Sequence, residues 1–350
     1  RIRIRFRVNG TLKQVLEPGI KIAPLLVSRI KVMAKLDIAE KRLPQDGRIA
    51  IQLGGRAVDM RVSTIPSGNG EKVVLRLLDK QVGRLQLTKL GMDDKTHEMI
   101  QKIIHQPHGI LLVTGPTGSG KTTTLYAALQ ELNNSELNIS TVEDPVEYFI
   151  DGINQTQINN KVKMSFAKGL RAILRQDPDV VMLGEVRDSE TAQIAVQASL
   201  TGHLVFSTLH TNTAVGAISR LRDMGIEPFL LSSSLSAVLA QRLIRTLCSE
   251  CKESHNTDEK ENEKLGINKS RVIYQSKGCD HCNQNGYMGR SALYELLSIN
   301  DDIKELIYNE ASEAQILESA KSHSTLRDQA KQMVLLGDTS LYEAIRVVSL

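Results

Sequence analysis

Tryptophan is absent from these 350 residues, and aromatic side chains make up only 3% of them. So few rings leave little on which single-stranded bases could stack. Charge of one sign is also missing. Lys and Arg number 44 against 40 Asp and Glu, a net charge of +4 that is too mild by itself to mark a nucleic-acid surface. No apolar run approaches the roughly 20 residues of a spanning helix, and no signal peptide is visible. Cysteine is scarce, with four in all, paired as two Cys-x-x-Cys motifs in the last third of the chain. That pattern belongs to a metal site in a reducing compartment rather than to disulfides. The first residue is not methionine: the chain opens on Arg1-Ile2-Arg3-Ile4-Arg5-Phe6-Arg7-Val8, already an alternating strand pattern. A segment preceding it is therefore expected. The hydrophobic fraction of 41% and charged fraction of 24% are those of a globular chain with a packed core, long enough for two or three domains.

Residues 1–80 have a mixed α and β pattern. Ile2, Ile4, Phe6 and Val8 alternate with arginines as on a half-buried strand whose charged face is solvated, and Asn9-Gly10 signals a hairpin. Helical spacing over Ile22–Leu36 precedes three strand-like runs, Ile49–Leu53, Arg56–Ile65 and Lys72–Leu78. Residues 81–90 have the composition of a linker. From 91 to 247, buried-strand runs (Ile110–Thr114, Ile139–Val142, Val180–Leu183, Leu204–Thr208) alternate with helical stretches (Thr122–Leu132, Phe166–Gln176, Thr191–Ser199). Such alternation predicts a parallel sheet with helices on both faces. Beyond Thr213 the pattern turns helical, interrupted by a cysteine segment at 248–287 that includes a charged loop over Lys252–Lys269. The remainder, 288–350, is expected to be a helical region, with a small bundle over Ile303–Val348.

Gly115-Pro116-Thr117-Gly118-Ser119-Gly120-Lys121-Thr122 matches the phosphate-loop pattern Gly-x-x-x-x-Gly-Lys-Thr, between an expected strand and an expected helix that continues with Thr123. Its glycines let backbone N–H groups turn toward phosphates, and the helix N-terminus adds positive potential. Lys121 is suited to the outer phosphates, and the Thr122 hydroxyl to magnesium. Glu185 ends the apolar run Val180–Leu183, where α/β sheets place their ligands. From there a carboxylate can position or deprotonate an attacking water. Glu143, Asp144 and Glu147 follow another apolar run and would repel one another without a cation. His203 and His210 flank Leu204–Thr208, with His210 at the strand tip. Arg171 and Arg175 lie one turn apart on a helix, and Arg61 and Arg76 on separate strands. Composition alone makes all four surface arginines.

Cys248-Ser249-Glu250-Cys251 and Cys279-Asp280-His281-Cys282 can each donate two thiolates, giving a closed tetrahedral four-sulfur site of the structural zinc kind.

Taken in order, the phosphate loop, Thr141-Val142-Glu143-Asp144-Pro145, Gly184-Glu185-Val186-Arg187-Asp188, and Thr201-Gly202-His203 to Leu209-His210-Thr211-Asn212 resemble the Walker A, Asp box, Walker B and His box of the secretion-superfamily ATPases. The stretches Leu36–Arg48, Leu170–Asp179 and Gln193–His203, with the cysteine module, are similar to the type II secretion branch; type IV pilus assembly ATPases share the boxes and the cysteines. The resemblance implies an α/β fold, a RecA-like P-loop core with a preceding small α+β domain, an inserted tetracysteine zinc subdomain and a C-terminal helical region. It implies a homo-hexameric cytoplasmic ATPase motor that uses magnesium-ATP and docks on inner-membrane platform proteins, with no nucleic-acid partner. By residue it implies phosphate and magnesium roles for Lys121 and Thr122, a general base in Glu185, and Asp-box and His-box roles for Glu143 and His210. Arg61 and Arg76 match arginines that the first domain presents to the nucleotide, and Arg171 and Arg175 a second pair near the phosphates. A helicase-like nucleic-acid motor, which shares the RecA-like core, is the alternative from another class.

Overall fold

Short alternating runs and one helix build the first part of the chain. The computed structural model describes residues 2–54, 56–78, 86–159, 162–320 and 324–350. It divides into two units, Arg1–Arg84 and Leu85–Leu350. In the first, β1 (Ile4–Val8) and β2 (Thr11–Leu16) form a hairpin. Its turn residues Asn9 and Gly10 both have positive φ, the geometry a two-residue turn requires. Helix α1 (Ala23–Met33) is followed by an antiparallel sheet of β3 (Gln45–Leu53), β4 (Arg56–Ser67) and β5 (Gly70–Leu78). Ala34, Ile49 and Val62 form its small core. Lys31 is fully buried there, donating to the Glu40 carbonyl at 2.7 Å and pairing with Glu71. The linker expected at 81–90 lies outside the described residues as far as 85; Leu87–Lys89 is a turn of 3-10 helix.

In the second unit, helix α2 (Asp94–Ile104) leads into β6 (Gly109–Thr114), and α3 (Lys121–Leu132) leaves it. Then come β7 (Ile139–Glu143), β8 (Asn154–Gln157), α4 (Phe166–Ile173), β9 (Val180–Leu183), α5 (Ser189–Leu200), β10 (Leu204–Leu209), α6 (Ala214–Asp223), α7 (Pro228–Ser234) and β11 (Leu235–Leu247). After β12 (Lys252–Asn256), α8 (Glu259–Leu265) and β13 (Val272–Ser276), β14 (Tyr287–Ser298) precedes four helices: α9 (Asp301–Tyr308), α10 (Glu313–Ser319), α11 (Leu326–Leu336) and α12 (Leu341–Val348).

The main sheet has the order β14-β11-β6-β10-β9-β7-β8, parallel except for β14, which runs antiparallel to β11. Its central strands are buried on both faces. Ile110 and Leu112 of β6 join one core cluster, with residues of α4 to α7 and α9 to α12, while Leu111 and Val113 join the other, with α2 and α3. This is why these strands are continuous apolar runs rather than alternating ones.

Three expectations are corrected. The chain beyond Thr213 is not uniformly helical, because Leu235–Leu247 is a strand inserted beside β6, buried on both faces. Its Leu235, Val238, Leu239 and Leu243 mimic helical spacing, and pairing overrides that local signal. Similarly, 288–350 begins as strand β14 rather than helix. Finally, Lys252–Lys269 is not a loop. It holds β12 and α8, and α8 is set by a reciprocal Asp258–Glu261 capping box and ended by Gly266 in the left-handed conformation.

Helix α12 is fastened to β11 by a buried carboxylate. Glu343 accepts from Arg245 Nη2 at 2.7 Å and from Arg346 Nε at 2.7 Å, and Arg245 also lies 4.0 Å over the Tyr287 ring. Burial acts to raise the Glu343 pKa, but Arg346 and Arg245 outweigh it and hold the carboxyl at about 2. Because the folded pKa lies below the unfolded one, this contribution is complete above about pH 4.5 and fades as pH falls toward 2. Glu343→Gln should lower unfolding stability at pH 7 by roughly 3 kcal/mol. The gap to the parent protein should close as urea melts are repeated from pH 5 down to pH 2.

Candidate nucleotide site and cysteine cluster

The loop 115–120 joins β6 to α3 at the carboxyl edge of the parallel sheet. Gly115, Gly118 and Gly120 all have positive φ. Two of these glycines are also crowded, Gly115 by backbone and Gly120 by a side chain. A Cβ at Gly115 would sit 2.4 Å from the Gln241 carbonyl oxygen, and one at Gly120 would sit 2.7 Å from Gln241 Nε2. Strand β11 thus closes the underside of the loop, with Gln241 itself held by Thr124 Oγ1 at 2.8 Å. Pro116, Thr117 and Gly118 form an exposed tip, while Ser119 is buried. The first amides of α3 have no intrahelical acceptor and so suit an anion. Lys121 Nζ donates to the carbonyls of Gly115 (2.8 Å) and Pro116 (3.1 Å). Burial lowers its pKa; Glu185 opposes that and Arg242 adds to it. Thr122 is exposed on the first turn, where its hydroxyl is available to a magnesium ion; Thr123 is half-buried.

Strand β10 lies between β6 and β9, so its tip stands between the phosphate loop and the end of β9. His210 follows that tip, and its Nε2 lies 3.3 Å from Glu185 Oε2. Arg187 donates to the other Glu185 oxygen. Burial acts to raise the Glu185 pKa, but the Arg187 hydrogen bond and charge, followed by His210, outweigh it and keep the carboxylate ionised. The two neighbouring strands are tied in at the same edge. Thr114 Oγ1 meets Thr211 Oγ1 at 2.6 Å, and Thr208 Oγ1 donates to the Gly184 carbonyl at 2.7 Å.

Glu143 has a different setting. It is only 2% exposed and accepts from Tyr126, from Thr141 Oγ1 at 2.6 Å and from Gln155 Nε2 at 3.1 Å. Burial pushes its carboxyl above the usual range, against the pull of Thr141, Tyr126 and Gln155. Of the acidic run, Glu147 stays close enough to Glu143 to raise its pKa further, whereas Asp144 lies near Arg187.

Arg171 and Arg175 lie away from the phosphate loop of their own chain. With His203, Gln193 and Gln197 they line an open groove of about 510 Å³ between α4 and α5. His203 precedes β10, so this groove is at the amino edge of the sheet, about 20 Å of strand from the loop. Arg171 pairs there with Glu190 at 2.7 Å, and Arg175 donates to the Arg171 carbonyl. In the first unit, Arg61 and Arg76 are cross-strand partners, and Arg48 is opposite Arg61 on its other side. Directly opposed residues share a face, so these three arginines form one transverse row.

The four cysteine sulfurs lie within 4.8 Å of one another, with Cys248–Cys279, Cys251–Cys282 and Cys279–Cys282 at 3.9, 3.8 and 3.8 Å. A tetrahedron with metal–sulfur bonds of about 2.3 Å has edges of about 3.8 Å. The donor set therefore fits one four-coordinate ion. Gly286 N donates to Cys282 Sγ at 3.1 Å, a second interaction that favours a thiolate.

A family described as type II/IV secretion system protein matches residues 1–346. The chain belongs to this family. Curated relatives include Type II secretion system ATPase E of Vibrio cholerae, 62% identical over 99% of this chain and 69% of the relative. Type II secretion system protein E of Pseudomonas aeruginosa is 61% identical over 99% of this chain and 70% of its own length. Among solved structures, the pilus retraction motor PilT with bound ADP aligns over 98% of this chain and 89% of its own, with TM-score 0.66 and 27% identity. The Legionella pneumophila ATPase DotB shares the fold at TM-score 0.70, with 20% identity over 96% and 86% of the two chains.

This member of the type II/IV secretion family is an ATPase. Its site includes residues that motif reading missed. Arg187 is two residues beyond Glu185 and could have been noticed as its neighbour. Gln241 and Arg242 carry no local signal, since only the pairing of β11 with β6 brings them to the loop. The contrast between the two glutamates is testable by melting. Glu143→Ala should cost roughly 1–3 kcal/mol, because it leaves buried donors without an acceptor. Glu185→Gln should cost up to about 1 kcal/mol at neutral pH by loss of its pairs with Arg187 and His210, a cost that fades on acidification, whereas the cost of Glu143→Ala does not.

Proposed function

We propose that the protein is the ATPase motor of type II secretion, hydrolysing ATP to drive assembly of a pseudopilus and export of protein. The observation that carries this is the juxtaposition of Glu185, His210 and the phosphate loop at one sheet edge, in a chain about 60% identical to type II secretion ATPases.

In this reading the loop amides and Lys121 bind the β- and γ-phosphates, and Thr122 holds magnesium, which when bound neutralises phosphate charge. Glu185 orients and deprotonates the attacking water, with its own charge kept by Arg187 and His210. Glu143 supports Tyr126 behind the loop's helix. Arg61, Arg76, Arg171 and Arg175 act as cations toward phosphate during turnover in a homo-hexamer. The cysteines hold structural zinc. No helix among the described residues is long and apolar enough to cross a membrane, and attachment to the inner membrane is assigned to platform proteins of the secretion system.

Glu185→Gln should lower kcat at least ~100-fold while nucleotide still binds. The same substitution, in the full-length protein returned to a deletion strain, should abolish secretion; export at parental levels would refute the motor role. Stimulation of turnover by DNA would instead favour a nucleic-acid motor. Chelation of zinc should unfold Cys248–Cys282, read by loss of metal and protease cleavage there, with ATP binding at Lys121 retained.

A further inference from the structure

We propose that Arg242 is a positioning residue for ATP hydrolysis, which from β11 clamps the segment after His210 and so keeps His210 against Glu185. Its Nη2 donates to both the carbonyl and the side-chain oxygen of Asn212, at 2.9 and 3.2 Å. Its Nη1 donates to the Gln241 carbonyl at 3.2 Å and lies 3.1 Å from where a Gly115 Cβ would be. The guanidinium therefore spans the start of the phosphate loop and the end of the His210 segment. All three acceptors are neutral oxygens, and the one anion that acts on it, Glu295, is not hydrogen-bonded to it and only partly offsets its burial. A half-buried cation held this way is costly compared with a neutral side chain, so packing alone does not account for it.

The segment it grips is otherwise anchored on either side of Asn212: the Thr211 carbonyl and hydroxyl meet Thr114 Oγ1 at 3.1 and 2.6 Å, and Thr213 caps α6 through Gly216 N at 3.1 Å. Thr211 N donates to Thr114 Oγ1 at 2.9 Å, and Ala214 N donates to Glu295 Oε1 at 3.1 Å. Between these two anchors, Asn212 is fixed by Arg242 from across the loop. His210, two residues upstream, meets Glu185 at 3.3 Å. Releasing Asn212 leaves the turn held at Thr211 and at the start of α6 but slack between them, which loosens the setting of this distance. Arginine suits the task because its two terminal nitrogens divide the acceptors, Nη2 taking both Asn212 oxygens and Nη1 the Gln241 carbonyl, a fixed span that the single nitrogen of a lysine lacks.

The inference rests on the reading of Glu185 as the base, and the experiment separates the two. In full-length protein with magnesium-ATP, Arg242→Ala and Arg242→Lys should both lower kcat roughly 10- to 100-fold, the scale of misplaced catalytic groups, with KM within about threefold. Asn212→Ala, which keeps the backbone acceptor, should give a smaller fall in kcat and add little to Arg242→Ala. In a His210→Ala background, Arg242→Lys should have little further effect. A rise in KM of tenfold or more that lysine restores would overturn the proposal, making Arg242 a direct phosphate contact. Parental kcat in Arg242→Lys and Asn212→Ala would also overturn it. If Arg242→Ala fails to fold, those two variants decide. Full activity in Glu185→Gln would refute the base assignment alone.

Discussion

Strand β6 is hydrogen-bonded to a parallel neighbour on each side, β10 and β11, and is covered by helices on both faces. Parallel pairing brings carboxyl ends to a common edge, so whatever follows β6, β9 and β10 must meet there. The phosphate loop, Glu185 and His210 are those continuations. Inserting β10 between β6 and β9 also sets the separation. It leaves one strand's width between the loop and Glu185, and that gap is where His210 stands. The site is therefore a consequence of strand order more than of any loop's own conformation.

The opposite flank of β6 completes the cradle. The Gln241 backbone leaves no room for a side chain at Gly115, its side chain crowds Gly120, and Arg242 reaches over to Asn212. Strand β11 then continues to Arg245, gripped by Glu343 of the terminal helix, and to Cys248. Its partner β14 starts at Tyr287, just after the second cysteine pair. One antiparallel ribbon thus runs from the floor of the nucleotide cradle to the cysteine cluster, with a buried ion cluster between them. A metal there would fix the far ends of these two strands, while the Arg245–Glu343 pair holds the ribbon nearer the loop, so the nucleotide cradle does not depend on the metal for its register.

Local spacing made the phosphate loop, the four parallel strand runs and the cysteine pairs legible, because each is decided by residues adjacent in the chain. The structure keeps Val180–Leu183 as a strand, with Glu185 two residues beyond its end, as the apolar run implies. What was not legible depends on partners distant in sequence. Leu235–Leu247 has helical spacing yet becomes a strand through pairing with β6. Gln241 and Arg242 acquire meaning only from that pairing. Arg171 on α4 and Arg175 on the 3-10 turn that follows it line the same groove, but their spacing says nothing about which edge of the sheet that groove adjoins. The charged stretch after Lys252 resembled a loop by composition, although its capping pair Asp258 and Glu261 was a readable helix start.

The two glutamates show why sequence position alone does not assign a chemical role. Glu143 and Glu185 end neighbouring strands, and Gly184 N donates to the Val142 carbonyl between them. One is sealed among Tyr126, Thr141 and Gln155, so burial favours its protonated form. The other sits beside Arg187 and His210, which favour the carboxylate. A base must be ionised before it can take a proton from water, and it must be reachable by that water. Only the second environment meets both conditions. Glu185 owes this to the Arg187 guanidinium and the His210 ring beside it, and His210 is itself held in place through Asn212.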